Sequence, residues 1–179
     1  MRKALFILGM LDDSDVDWMI AAGTRQRIWA GTTLIAEGKE IDHVYIVVDG
    51  AFAVRVSALG GKELAQLKAG EIVGEMSFVD SRPPSASVVA LEDSLVLSIP
   101  STSLKARLKD PGFAARFYRS LAVFLANRLR NTVARLGYGA AAADQPTVDL
   151  GEEIGPMALE NLAMAGARLN WMMRRLRGE

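Results

Sequence analysis

Apolar and polar positions change rhythm twice along the 179-residue chain. Up to about Ala22 the rhythm is helical. Val16, Met19 and Ile20 recur at i, i+3, i+4, Asp12 or Ser14 stands where a cap belongs, and Gly23 stops the run. From about Thr24 to Pro100 the chain breaks into short runs suited to strands: Arg25–Ala30, Val44–Val48, Ala51–Ser57, Glu63–Leu67, Ser87–Leu91 and Ser94–Ile99. Turn signals part them at Gly31, Glu37-Gly38, Asp49-Gly50, Gly60-Gly61, Gly70 and Pro83-Pro84. Asp49-Gly50 between two apolar runs predicts a two-residue hairpin. Short strands at even spacing predict a barrel or jelly roll.

The helical rhythm then returns. Ser101 or Thr102 is placed to cap a short helix that ends before Pro111. A long helix over about 112–137 carries the stripe Phe117, Leu121, Phe124, Leu125, Leu129, Val133 and Leu136, near-heptad in places. A linker rich in alanine and acids follows, and then a last helix from about Met157 to Arg177. That helix has a methionine-rich apolar face (Met157, Met164, Met172 and Met173), suited to packing on its own domain, with a partner protein as the alternative.

Composition narrows the chemistry. Half of the residues are hydrophobic and 23% are charged, a globular balance. Basic and acidic residues number 21 each, so no global field draws the chain to nucleic acid or an anionic membrane. The chain has no cysteine, which excludes disulfides, thiolate zinc sites and cysteine nucleophiles. The single histidine, His43, excludes a multi-histidine metal site and reads as a surface residue at a strand start. Gly-x-Ser-x-Gly and P-loop lysine motifs are absent, so no catalytic residue, metal or resident cofactor is expected, and the chain reads as non-enzymatic. Met1-Arg2-Lys3 precedes too short an apolar run for a signal peptide, and no run approaches the roughly 20 apolar residues of a membrane span. A cytoplasmic location is expected.

The segment with most information is Val73-Gly74-Glu75-Met76-Ser77-Phe78-Val79-Asp80-Ser81-Arg82-Pro83-Pro84-Ser85-Ala86-Ser87-Val88. It resembles the phosphate-binding cassette of the cyclic nucleotide-binding domain family, the family of the cAMP receptor protein. Gly31, Glu37-Gly38 and Asp49-Gly50 fall where that family places its strand-joining turns, and the likeness covers about Leu5 to Leu136. It implies an α+β fold: a double-stranded β-helix, or jelly roll, flanked by N-terminal helices and a long C-terminal helix. It also implies that Gly74 opens a short helical turn whose amides, from Glu75, Met76 and Ser77, face an anion. Glu75 matches the family glutamate that accepts the ribose 2′-hydroxyl. Ser85 and Ala86 fit the rest of the pattern, and Thr132 on the long helix matches a threonine that caps the adenine base in some members.

One position departs from the pattern. Ten residues after Gly74, where the family carries an arginine for the cyclic phosphate, this chain has Pro84. Proline supplies neither charge nor N–H. Loss of one charge-assisted hydrogen bond costs about 1.5–3 kcal/mol, or roughly ten- to 150-fold in affinity. Arg82 is two residues away, but Pro83-Pro84 stiffens the path, and Ser85 offers only a neutral donor.

These readings combine into one expectation. Residues 1–137 form a cyclic-nucleotide-binding-like domain, and residues 138–179 form a linker plus terminal helix. The chain is a regulatory or interaction module whose affinity for cAMP or cGMP is weakened or lost at Pro84. It dimerises through the long helix. A functional stand-alone nucleotide sensor is the alternative. About forty residues follow the long helix where transcription-factor members carry a winged helix-turn-helix, so no DNA-binding domain is expected. The long helix also carries Arg116, Arg119, Arg128, Arg130 and Arg135, which leaves nucleic-acid binding as a further alternative. The expected partners of these arginines are Asp144, Asp149, Glu152 and Glu153 of the linker.

Overall fold

The computed structural model describes residues 6–135 and 156–177. The chain opens with α1 (Phe6–Met10) and α2 (Asp13–Ala22). Asp12 caps α2 in a reciprocal box: its carboxylate accepts from Asp15 N–H at 2.9 Å, and Asp15 Oδ2 accepts from Asp12 N–H at 3.1 Å. Gly23 ends α2 in an extended conformation, so it is needed for space and not for its φ. A Cβ there would lie 2.6 Å from Leu97 Cδ1.

Eight strands follow among the described residues: β1 (Thr24–Ile28), β2 (Thr33–Ile35), β3 (His43–Asp49), β4 (Ala51–Arg55), β5 (Glu63–Lys68), β6 (Ile72–Val73), β7 (Ser87–Ala90) and β8 (Ser94–Pro100). The six strands expected from sequence are present, with β1 and β4 each ending two residues earlier than expected. β2 and β6 were not foreseen, because three and two residues show no readable period. All pairs are antiparallel, in two four-stranded sheets ordered β1-β8-β3-β6 and β2-β7-β4-β5. The chain turns at Asp49-Gly50, but the expected hairpin is not formed: β3 pairs with β8 and β6, β4 pairs with β5 and β7, and the turn carries the chain from one sheet to the other. Gly50 has φ +92° with Ser94 packed against it, so no side chain fits there.

β3 and β8 are buried on both faces, which explains their nearly continuous apolar sequences. Val47 and Val96 point between the sheets and join Ile35, Phe52, Leu67, Val73, Val88 and Ala90. Val44, Ile46, Val48, Leu97 and Ile99 point the other way, into a second core made with the helices.

That second core gathers α1, α2, α4 (Ser101–Arg107), α5 (Pro111–Arg135) and α6 (Pro156–Arg177). Ser101 does not cap α4. It is the first helical residue, its N–H bonding to Asp42 C=O at 2.7 Å, and no side chain caps this end. α5 begins one residue earlier than expected, with Pro111 in its first turn, and Asp110 Oδ1 caps it by accepting from Gly112 N–H at 2.9 Å. Trp18 meets Phe113 edge-on at 5.5 Å between ring centroids, and Phe113 stacks on Phe117 at 5.6 Å. Fully buried Asp15 accepts a fork from Arg116 of α5, Nε at 2.7 Å and Nη2 at 3.0 Å, and Arg107 Nη2 stands 3.6 Å from it.

α6 packs on this assembly through Ala165, Leu169 and Met172. Arg168 anchors it, donating to Asp13 Oδ1 at 2.7 Å and to Leu8 C=O at 3.0 Å. The linker that precedes α6 lies outside the described residues. Because Met172 is fully buried and Met164 is about half exposed, the two methionines separate docking from propensity. Met172→Ala should lower unfolding free energy by about 2–4 kcal/mol in urea titrations. Met164→Ala should change it by less than about 0.5 kcal/mol.

Candidate functional site

β6 leads into the cassette. Val73 is buried and pairs with Tyr45 of β3, and Gly74 follows with φ +86°. A Cβ on Gly74 would stand 2.9 Å from Ile41 Cδ1 and 3.1 Å from His43 C=O, so both backbone conformation and space require glycine. Gly74 is the N-cap of α3 (Glu75–Asp80), and Phe78 N–H bonds to its carbonyl at 3.1 Å. The chain leaves α3 through Ser81, which has φ +57°.

The sequence-selected residues divide by burial. Glu75 is 2% exposed, whereas Met76 is half exposed and Ser77 half-buried. Arg82 is exposed, and its backbone N–H bonds Asp80 Oδ1 at 3.0 Å. Pro84 is half-buried, and its carbonyl accepts from Gly38 N–H at 2.8 Å. This bond ties the cassette to the Glu37-Gly38 turn. Ser85 is exposed and Ala86 half-buried just before β7. Thr132 falls within α5, but its side chain lies outside the described residues.

The long helix meets the cassette at two points. Phe78 of α3 packs edge-on against Phe117 at 6.2 Å. About three turns further along α5, Arg128 Nη1 donates to Glu75 Oε1, and the guanidinium lies 4.9 Å from the centroid of Phe124. Arg116 and Arg128 of α5 therefore meet acids of the α2 start and of the cassette, and the linker acids expected from sequence as partners lie outside the described residues. Sequence reading counted Arg128 only as part of a basic face. The available signal was its place one helical turn before Thr132, hence on the same side of α5. His43 is also half-buried and not fully at the surface: its Nδ1 lies 2.6 Å from Asp42 Oδ1, and its ring stacks on Tyr45.

Burial raises the Glu75 carboxyl above its usual value, and the nearby Arg128 guanidinium offsets only part of that rise. The arrangement is a carboxylate sunk beneath a backbone turn and touched by the Arg128 guanidinium. It can accept a hydroxyl or a guanidinium. It has no nucleophile beside it, and among the described residues no cluster of His, Asp or Glu could hold a metal.

Comparison with known proteins agrees with this geometry. Residues 25–110 match the family model described as cyclic nucleotide-binding domain. The chain is 31% identical over 112 residues to the Pycsar effector protein XpPycTIR of Xanthomonas perforans, covering 62% of this chain and 35% of that protein. It is 33% identical over 122 residues to the cyclic AMP receptor protein of Thermus thermophilus, covering 67% of this chain and 55% of that one. The solved cyclic nucleotide-binding domain from Methylobacillus flagellatus superposes with a TM-score of 0.67 at 23% identity, covering 74% of this chain and 80% of that one. The β-roll, its cassette and these matches identify residues 25–110 as a cyclic nucleotide-binding domain. It spans between about a third and about half of the length of the two relatives named by sequence. Among the described residues no helix is long and apolar enough to cross a membrane.

The raised carboxyl makes a signed prediction. A folded-state value above the ordinary 4.5 means that Glu75 favours the fold while protonated in both states. That contribution is complete below about 4.5 and is lost as pH rises through the folded-state value. Urea melts of wild type and Glu75→Gln across pH 4 to 8 should show wild type losing ground to the variant as pH rises. A difference that stays flat with pH would contradict the burial argument.

Proposed function

We propose that this chain is a non-enzymatic regulatory module that takes cAMP or cGMP weakly at the cassette and reports occupancy through α5. The observation that carries this reading is the contact of buried Glu75 with Arg128. A ribose 2′-hydroxyl seated on Glu75 would compete with Arg128 for the same carboxylate, so occupancy and the position of α5 are linked. The turn amides at Glu75, Met76 and Ser77 and the hydroxyl of Ser85 would meet the cyclic phosphate, with Val73 and Ala86 lining its seat. Thr132 would meet the base. Pro84 leaves the phosphate charge without its guanidinium, and the exposed Arg82 side chain would have to turn inward to supply one. The roles of the relatives support a signalling setting, since one is a cyclic AMP receptor and another a Pycsar effector. A cytoplasmic location fits a module of this kind.

Titration calorimetry with cAMP and with cGMP tests the reading. Wild type should bind one of them weakly, and Pro84→Arg should tighten it about ten- to 150-fold. The Pro84 bond to Gly38 uses the main chain, so the substitution keeps it. No heat from either protein with either nucleotide would leave only the second reading, a nucleotide-blind scaffold, which the loss of the phosphate-pairing arginine favours.

The second partner we propose is another copy of the chain. Leu129 and Val133 are 64% and 39% exposed, one turn apart on α5 beyond the cassette contact. Two such stripes would bury one another as a helical seam. Sedimentation equilibrium should find a dimer in wild type and a monomer in Leu129→Glu. A wild-type monomer at high micromolar concentration would reject the seam.

A further inference from the structure

β1 is an edge strand, paired with β8 alone. An open edge presents unpaired N–H and C=O groups that can template a further strand. Among the described residues, no main-chain bond to residues 24–28 exists outside the ladder with β8. Four of the five β1 residues are exposed. The edges of the other strands differ: β2 and β6 are very short, and β5 carries both signs of charge, with Glu63 and Lys68 at its ends. Both charges on β1 are positive.

Arg25 and Arg27 share a face, opposite Leu97 and Leu95 of β8. On that face Arg25 donates to the Leu176 carbonyl at the end of α6, which brings Arg174 and Arg175 to the same corner. Arg27 lies 5.4 Å from the centroid of Trp29, and Arg175 lies 5.5 Å from that of Trp171. Trp29 is 59% exposed. None of these four guanidinium groups forms an ion pair within the described residues. Asp93 borders the patch, its carboxylate accepting from Ala30 N–H at 3.0 Å.

We propose that the β1 edge is a docking site for an acidic, extended polypeptide segment. The segment adds as a further strand to the sheet β1-β8-β3-β6 and sets its carboxylates against Arg27, Arg174 and Arg175. Main-chain bonds along the edge supply affinity, and the arginines select the charge. The same charges reject a second β1, because pairing two copies would set arginine against arginine. Trp29 and arginines also suit a stacked base, but a nucleic acid would leave the main-chain edge unused.

Fluorescence anisotropy on the full chain tests this with a labelled eight-residue peptide alternating glutamate with valine or threonine. Binding should be saturable. The double variant Arg27→Glu, Arg174→Glu should weaken it by about tenfold or more, with an unchanged circular dichroism melt and unchanged behaviour toward cAMP and cGMP. The same peptide N-methylated on alternate amides, so that one edge cannot pair, should bind as poorly as the double variant leaves it. Three results would overturn the proposal: no saturation at millimolar peptide, equal binding of the methylated peptide, or tighter binding of a single-stranded oligonucleotide of equal charge.

Discussion

Two central strands, β3 and β8, have no solvent face. Residues alternate along them, so Val47 and Val96 enter the space between the sheets while Val44, Ile46, Val48, Leu97 and Ile99 face outward. Left bare, that outward face would be a broad apolar patch, which soluble domains rarely tolerate. The helices are therefore required by the roll. α1, α2, α4, α5 and α6 all contribute to the cluster that covers it. The buried carboxylate of Asp15, held by Arg116, fixes where α5 starts, and Phe113 and Phe117 fix which of its faces turns inward.

Once its first turns are set, α5 has one course, and that course crosses the cassette. Phe78 rests on Phe117, and Glu75 meets Arg128. A buried carboxylate is costly unless paired, and here burial still outweighs the pairing. Such a group is a natural point of exchange, because a ligand hydroxyl and the guanidinium can satisfy the same oxygen. In the proposed function any coupling between ligand and helix is reciprocal, so a helix held in place also resists the ligand.

Much of this was legible in the residue pattern, for reasons that differ from place to place. The turn at Asp49-Gly50 was readable because turn chemistry is local, but the hairpin expected there was not formed, because distant strands β8 and β6 take both edges of β3. The capping role of Asp12 was readable for the same reason, although Ser14 competed for it until the hydrogen bonds were placed. β2 and β6 were hidden by their shortness. Ser101 looked like a cap because serine commonly is one, but it is the first helical residue and its N–H is taken by the carbonyl of Asp42, just before β3. That Gly74 opens a short helical turn was visible in the cassette, whereas its left-handed conformation and the burial of Glu75 came only with the structure.

The sequence by itself determined the periods: which stretches alternate, which repeat every three or four residues, where glycine must bend the chain, and that Pro84 brings no charge to the cassette. These properties belong to single residues and near neighbours, and they hold before any distant contact forms. Only the tertiary structure decided the partners of the arginines. Arg116 and Asp15 are 101 residues apart, and Arg128 and Glu75 are 53 apart. No periodicity carries information over such separations. It was the packing of α5 against the outward face of β3 and β8 that selected which guanidinium reaches the buried glutamate.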